Sequence, residues 1–164
     1  MVRRHRFLLP VLPLLAACGG GGDGRNADTS EIAGLWDASG VRGGAGGSAD
    51  DERYVDISDN GLYTLYDYRL DGASDEGNCY RITRRRMTLT GAEALLVDFD
   101  PQQDSASGAE VEVTATAFRL NDGRRLVVFP LTSEELYVES DDLGTGFMDR
   151  VTGLSAEDLE PCEG

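Results

Sequence analysis

From Ile32 onward the chain repeats one device: a short run of alternating apolar and polar residues, then glycine, asparagine or aspartate. A period of two puts every second side chain on one face, as a half-buried strand requires. Arg53 to Ile57 alternates around Val55 and Ile57 and stops at Asp59-Asn60-Gly61. Leu62 to Leu70 places Leu62, Thr64, Tyr66, Tyr68 and Leu70 on one face, with Tyr63 opposite. The runs Cys79 to Arg84, Met87 to Thr90 and Leu95 to Phe99 read as further strands, with loops at Asp71 to Gly77 and Asp100 to Gly108. Glu110 to Leu120 carries Val111, Val113, Ala115 and Ala117 on one face and alternating glutamates and threonines on the other. Asn121-Asp122-Gly123 is a hairpin signal into Leu126 to Phe129, followed by Leu136 to Glu139 and Gly146 to Val151. No window carries a helical period beyond one turn at Ser155 to Leu159, where Ser155 is the N-cap. The pattern predicts an all-β domain. An antiparallel meander barrel of about eight strands protects its edges by closure, and another β sandwich or barrel is the alternative.

The 164 residues carry 30 acids and 15 basic groups, a formal charge of −15. Apolar residues at 40% suffice for one domain with a modest core. The acidic balance excludes nucleic acid as a partner, because a negative surface repels phosphate. Every basic residue is arginine.

Residues 1–18 read MVRRHRFLLPVLPLLAAC. Arg3, Arg4 and Arg6 precede an apolar stretch from Phe7 to Ala17. As helix it would reach about 16 Å, half of a hydrocarbon core of roughly 30 Å, and Pro10 and Pro13 weaken it. Such a layout is that of a signal peptide. Its end, Leu15-Ala16-Ala17-Cys18, resembles the lipobox of bacterial lipoproteins. The resemblance implies cleavage before Cys18 and acylation of that cysteine with palmitate-type chains; two or more chains give stable membrane anchoring. Gly19, where an aspartate would favour inner-membrane retention, implies the periplasmic face of the outer membrane. The chain then divides into a leader over 1–17, a glycine-rich tether over 18–31 and a β domain over 32–164.

Removing residues 1–17 takes three of the fifteen arginines, no acid and the sole histidine, His5. The remaining chain has 12 basic and 30 acidic side chains, a charge of −18, with neither histidine nor lysine. Without imidazole or amine, Ser-His-Asp, Cys-His, Ser-Lys and Schiff-base chemistries are excluded, as are imidazole-based metal sites. The expectation is a non-catalytic protein with no cofactor and no metal site. Acylation of Cys18 leaves Cys79 and Cys162, 83 positions apart, which in an exported protein read as a disulfide; two free thiols are the alternative.

Gly34-Leu35-Trp36 stands before the first strand runs and resembles the Gly-x-Trp signature that opens the barrel of lipocalins and related calycins. In that family the indole closes one barrel end beneath an arginine of the last strand. The resemblance implies a calycin-like barrel with Trp36 and Arg150 as the closing pair, and a capacity to bind small apolar ligands. The order of lipobox, Gly-x-Trp-Asp and Asp67-Tyr68 ahead of Asn78-Cys79-Tyr80 also resembles proteobacterial lipoproteins.

Three further groups invite a reading. Tyr54, Tyr66, Tyr68 and Tyr80 combine apolar surface with a hydroxyl and are candidate ligand-lining residues. Arg81, Arg84, Arg85 and Arg86 form the basic cluster of an acidic chain; pairing with its own carboxylates is the plainer role, binding of an acidic partner the other. The acidic loops at Asp50 to Glu52, Asp71 to Glu76 and Glu139 to Asp142 read as solvated rather than calcium-binding, since no segment has an EF-hand pattern. Together these features predict an envelope lipoprotein that acts as a lipocalin-like ligand-binding or accessory module. The alternative is a structural or protein-interaction domain without a pocket, and a carboxylate-dependent hydrolase is a remote third. Its expected partners are the membrane, through the anchor, and a small apolar ligand or an envelope protein.

Overall fold

Alternating sequence becomes strand throughout. The computed structural model describes residues 29–43, 52–69, 79–100 and 105–162; the lipobox, Cys18, the tether up to residue 28 and the loop 70–78 lie outside them. The strands are β1 (Gly34–Asp37), β2 (Arg42–Gly43), β3 (Arg53–Ile57), β4 (Leu62–Arg69), β5 (Cys79–Asp100), β6 (Ser105–Leu120), β7 (Arg125–Pro130), β8 (Glu135–Ser140) and β9 (Gly144–Arg150). Among the described residues the one helical piece is a 3-10 turn, Ala156–Asp158, N-capped by Ser155.

Each strand from β3 to β9 pairs antiparallel with its chain neighbour, and β1 pairs with both β3 and β9. Eight strands therefore close on themselves, in the meander order that the lipocalin resemblance implies. β2 continues the seam as a short outer strand, with Arg42 opposite Thr145 and Gly43 opposite Gly144 on β9. Closure leaves no barrel strand without two neighbours, the arrangement that keeps backbone donors and acceptors satisfied.

The period of two sorts side chains into two layers. Inward-facing Trp36, Val55, Ile57, Tyr63, Met87, Phe118, Leu120, Leu126, Val128, Leu136, Val138 and Met148 form the main core, joined by Ile32, Ala38, Val41 and Leu143. Outward-facing Ala117, Val127 and Tyr137 belong to a second apolar cluster with Leu95, Val97 and Ala115.

That second cluster exposes the largest departure from the sequence reading. The three runs between Cys79 and Phe99 are one strand of 22 residues, and much of the expected loop before Gly108 belongs to the 16 residues of β6. β4 pairs with β5 only as far as Arg86, and β7 pairs with β6 only from Thr116. The remainder is a hairpin that leaves the barrel. A bulge between Leu89 and Gly91 marks its base, where Gly91 has φ +139° and the Thr90 hydroxyl donates to Ala117 O at 2.9 Å. The hairpin then folds back, laying Leu95, Val97, Val113 and Ala115 on the outer wall formed by Val127, Phe129, Tyr137 and Phe147. Such a register break is not visible in an alternation pattern, because both sides of the bulge alternate equally well.

Candidate functional site

The seam is built around Trp36. Its position is opposite Arg150 in the β1–β9 register, and the guanidinium carbon lies 4.2 Å from the centroid of the indole ring. The indole is fully buried, and its N–H donates to Ile32 O at 3.0 Å. Arg150 is fixed from both sides, Nη1 donating to Ala33 O at 2.9 Å and Nε to Ser133 O at 2.6 Å. The glycine of Gly-x-Trp has a steric role here. Gly34 sits at φ +141°, and a Cβ there would overlap Arg150 Nη1. Residues 29–32 cover this end of the barrel: Thr29 Oγ1 donates to Ser58 O and accepts from Gly61 N at 3.2 Å.

A concavity of about 220 Å³ lies beside that cover, lined by Thr29, Ser30, Glu31, Ile32, Thr116, Phe118, Val128 and Pro130. This is below the roughly 300–1,000 Å³ of common small-molecule sites. The barrel's axis itself is occupied. Trp36, Tyr63, Met87, Leu120, Leu126, Leu136, Leu143 and Met148 are each under 2% exposed or nearly so, and they interlock across it.

Toward the opposite end the inward face turns polar. Arg53 pairs with Asp67 at 3.4 Å. Arg85, in register with Tyr63, donates to both Asp122 and Asp142, and Arg124 Nε reaches Asp142 at 2.9 Å. Burial pushes the Asp142 carboxyl above the usual aspartate range, and the two guanidiniums oppose that shift. For Asp122 the balance reverses: burial raises it, but hydrogen bonds from Arg124 N and Arg85 hold it low. The Tyr63 hydroxyl is buried beside this network and has no hydrogen-bond partner among the described residues. Its burial, and the nearby Asp142, push its pKa upward.

Of the four arginines in the basic cluster, Arg85 is the one turned inward and bound to its own chain's carboxylates; Arg81, Arg84 and Arg86 are exposed. The candidate ligand-lining tyrosines do come together, but on the outer wall rather than inside the barrel. Tyr80 packs at 6.0 Å from Tyr54, 6.5 Å from Tyr66 and 5.4 Å from Tyr68. The hydroxyls of Tyr54 and Tyr80 both donate to Glu52 Oε1, at 2.9 and 2.8 Å. Burial first, then that carboxylate, pushes Tyr54 up to about 12 and raises Tyr80 as well. Leu154 and Leu159 from the C-terminal segment cover the same cluster, together with Leu35 and Ile82. These tyrosines therefore seat the C-terminal strap. Cys79 and Cys162 are bonded at its end, with Cα atoms 4.7 Å apart, and Tyr80 N donates to Glu160 O at 2.8 Å while Cys162 N donates to Tyr80 O at 3.0 Å.

Sequence reasoning missed the hairpin surface altogether. Leu89, Leu96 and Val111, the exposed large apolar side chains among the described residues, all lie on it. The signal was present in the uncharged stretch Thr88 to Ala92 and Ala94 to Val97, broken only by Glu93. Compared with protein-family models, with curated proteins and with solved structures, the chain finds no match in any of the three.

Proposed function

We propose that the protein is a non-catalytic accessory module of the bacterial envelope, acylated at Cys18 and held at the periplasmic face of the outer membrane, whose barrel is a scaffold for protein interaction rather than a ligand container. One observation carries the scaffold reading: the barrel interior is filled by its own side chains, from Trp36 at one end to Leu143 and the Arg85 ion pairs toward the other. A ligand along that axis would have to displace packed rings and methyls, each costing about 1.5–3 kcal/mol of burial. The anchor reading rests on Leu15-Ala16-Ala17-Cys18 after a basic, apolar leader, and the non-catalytic reading on the lack of histidine and lysine beyond residue 17.

A smaller version of the lipocalin-like role keeps one specific support, the concavity beside Ile32, Phe118, Val128 and Pro130, which is apolar on one side and bears Thr29, Ser30 and Glu31 on the other. Native mass spectrometry of the protein extracted from its own envelope separates the two. A co-purifying protein supports the scaffold, and a retained small apolar molecule overturns it in favour of the ligand site. Palmitate labelling tests the anchor. Wild type is expected to take up label and Cys18→Ser is not; equal incorporation ends the lipoprotein reading.

A further inference from the structure

Both edges of the β5–β6 hairpin run beyond their barrel neighbours. β5 has no strand along its outer edge after Arg86, and β6 has none before Thr116, among the described residues. A free edge is a row of unpaired N–H and C=O groups that other chains can extend, and proteins blunt such edges with charge. The two edges differ in this respect. β6 presents Glu110 and Glu112, both exposed, in its unpaired portion. From Thr88 to Val97, β5 carries a single charge, Glu93, and that carboxylate is held by Arg125 of its own chain, with Arg125 Nε donating to Oε2 at 3.1 Å and Nη2 to Oε1. The β5 edge thus lacks the device that guards β6.

We propose that the β5 edge over Gly91–Val97 is a docking site for a second copy of this chain, pairing antiparallel about a twofold axis at Ala94. This names the partner within the scaffold reading above, on which it rests, and it does not depend on the lipid anchor. A twofold contact must be self-complementary, each position meeting its mirror partner. Centred on Ala94, Ala92 falls opposite the partner copy's Leu96, Gly91 opposite Val97, and Glu93 opposite Leu95. Gly91 and Ala92 each oppose a larger side chain, Ala94 meets its own copy, and no two carboxylates face each other. Leu96, 59% exposed, shares its face with the exposed Ala92 and Ala94, so the pairing covers it with the partner's Ala92. The opposite face of the strand already lies on the barrel wall through Leu95 and Val97. The segment is consequently pre-ordered, which lowers the entropic cost of adding a strand. Elsewhere the two acidic molecules repel, so association is expected to strengthen with salt as that repulsion is screened.

The test is cysteine cross-linking of the full chain in its own envelope. Paired residues of antiparallel strands have Cα atoms about 4.5–5.5 Å apart, within disulfide range, whereas Ala92 would lie roughly 13 Å from its own copy. Ala94→Cys is expected to give a disulfide-linked dimer on a non-reducing gel. Ala92→Cys and the parent chain, which set the background including Cys18, are expected to give none above it. Adding Leu96→Lys to Ala94→Cys should abolish the dimer, while adding Thr114→Lys on the same exposed face of β6 should not. Retained Trp36 emission in each variant shows that the barrel is folded. Dimer no greater for Ala94→Cys than for Ala92→Cys overturns the proposal. So does an Ala94→Cys adduct with a different polypeptide, which would leave the scaffold reading standing with another partner at this edge.

Discussion

The barrel and the hairpin are made of the same material, alternating residues in antiparallel pairs, yet they satisfy their strands by different means. In the barrel the Trp36–Arg150 seam joins first strand to last, so every strand has two neighbours and the apolar face is enclosed. The hairpin has one ladder only. It gains its order by folding an apolar face onto the barrel's outer wall and by the Glu93–Arg125–Glu139 ion pairs, and among the described residues no strand pairs with its outer edges. The difference teaches where each region spends its interactions: a closed sheet pairs its own edges, whereas a protruding ladder depends on the wall beneath it.

If the barrel is the cooperative unit, its seam should dominate stability. Trp36→Ala is expected to cost about 3–5 kcal/mol, the range for truncating a large buried aromatic, and to bring down barrel and hairpin together in a denaturant titration. Loss of hairpin protection alone would reverse the hierarchy. Val97→Ala, at a position fully buried between hairpin and barrel wall, should cost roughly 1.5 kcal/mol for two buried methyls. Hydrogen exchange is expected to accelerate over β5 and β6 beyond the bulge while β1 and β9 keep their protection. Uniform acceleration would mean that the two regions open as one.

The seam can be resolved further by a double-mutant cycle on Trp36 and Arg150. The stack at 4.2 Å predicts a coupling of about 0.5–2 kcal/mol. Zero coupling would leave Trp36 as an ordinary core residue and Arg150 as a ligand of Ala33 O and Ser133 O only.

The smallest expected effect is one of pH, and its sign is opposite for one carboxylate on each region, Glu93 and Asp56. On the hairpin, the hydrogen bond from Arg125 holds Glu93 below the usual glutamate range. Its contribution is present above the unfolded value and fades as pH falls through the folded one. On the barrel, burial holds Asp56 above the usual aspartate range. That group favours folding below its unfolded value, and the benefit is lost as pH rises through the folded one. Acidification through the carboxylate range should therefore speed hydrogen exchange of the hairpin around Glu93 relative to β3, which carries Asp56. Arg125→Met should remove that pH dependence. An unchanged profile in this variant would show that the ion pair does not hold the hairpin down.

Much of the architecture is legible in the residues. Asn121-Asp122-Gly123 is a tight turn between β6 and β7, with Gly123 at φ +90°. Gly34-Leu35-Trp36 opens the barrel, and Cys79 and Cys162 are bonded. Other features were hidden because the signal is degenerate. Val113, Ala115 and Ala117 alternate as a barrel wall would, but Ala117 faces out of the barrel, and Val113 and Ala115 lie on the hairpin, turned back onto the wall of Val127 and Tyr137. Tyr66 and Tyr68 share a face as expected, yet nothing in their spacing says whether that face is the lumen or the outer wall.

Strand period, turn chemistry, charge and the missing histidine and lysine are local or additive properties, and the sequence determined those by itself: an all-β chain, strongly acidic, with neither histidine nor lysine beyond residue 17. Which face of each strand turned inward, and whether the barrel held space or side chains, depended on closure. Only when β1 meets β9 do the large residues of eight strands converge in one cluster, where Trp36, Met87, Leu126 and Met148 are buried together. The hairpin's folding back was likewise decided in three dimensions: a bulge at Thr90 adds one residue to β5, so Leu95 and Val97, of the same parity as the inward Met87, turn to the outer wall with Ala115 and Ala117 of β6.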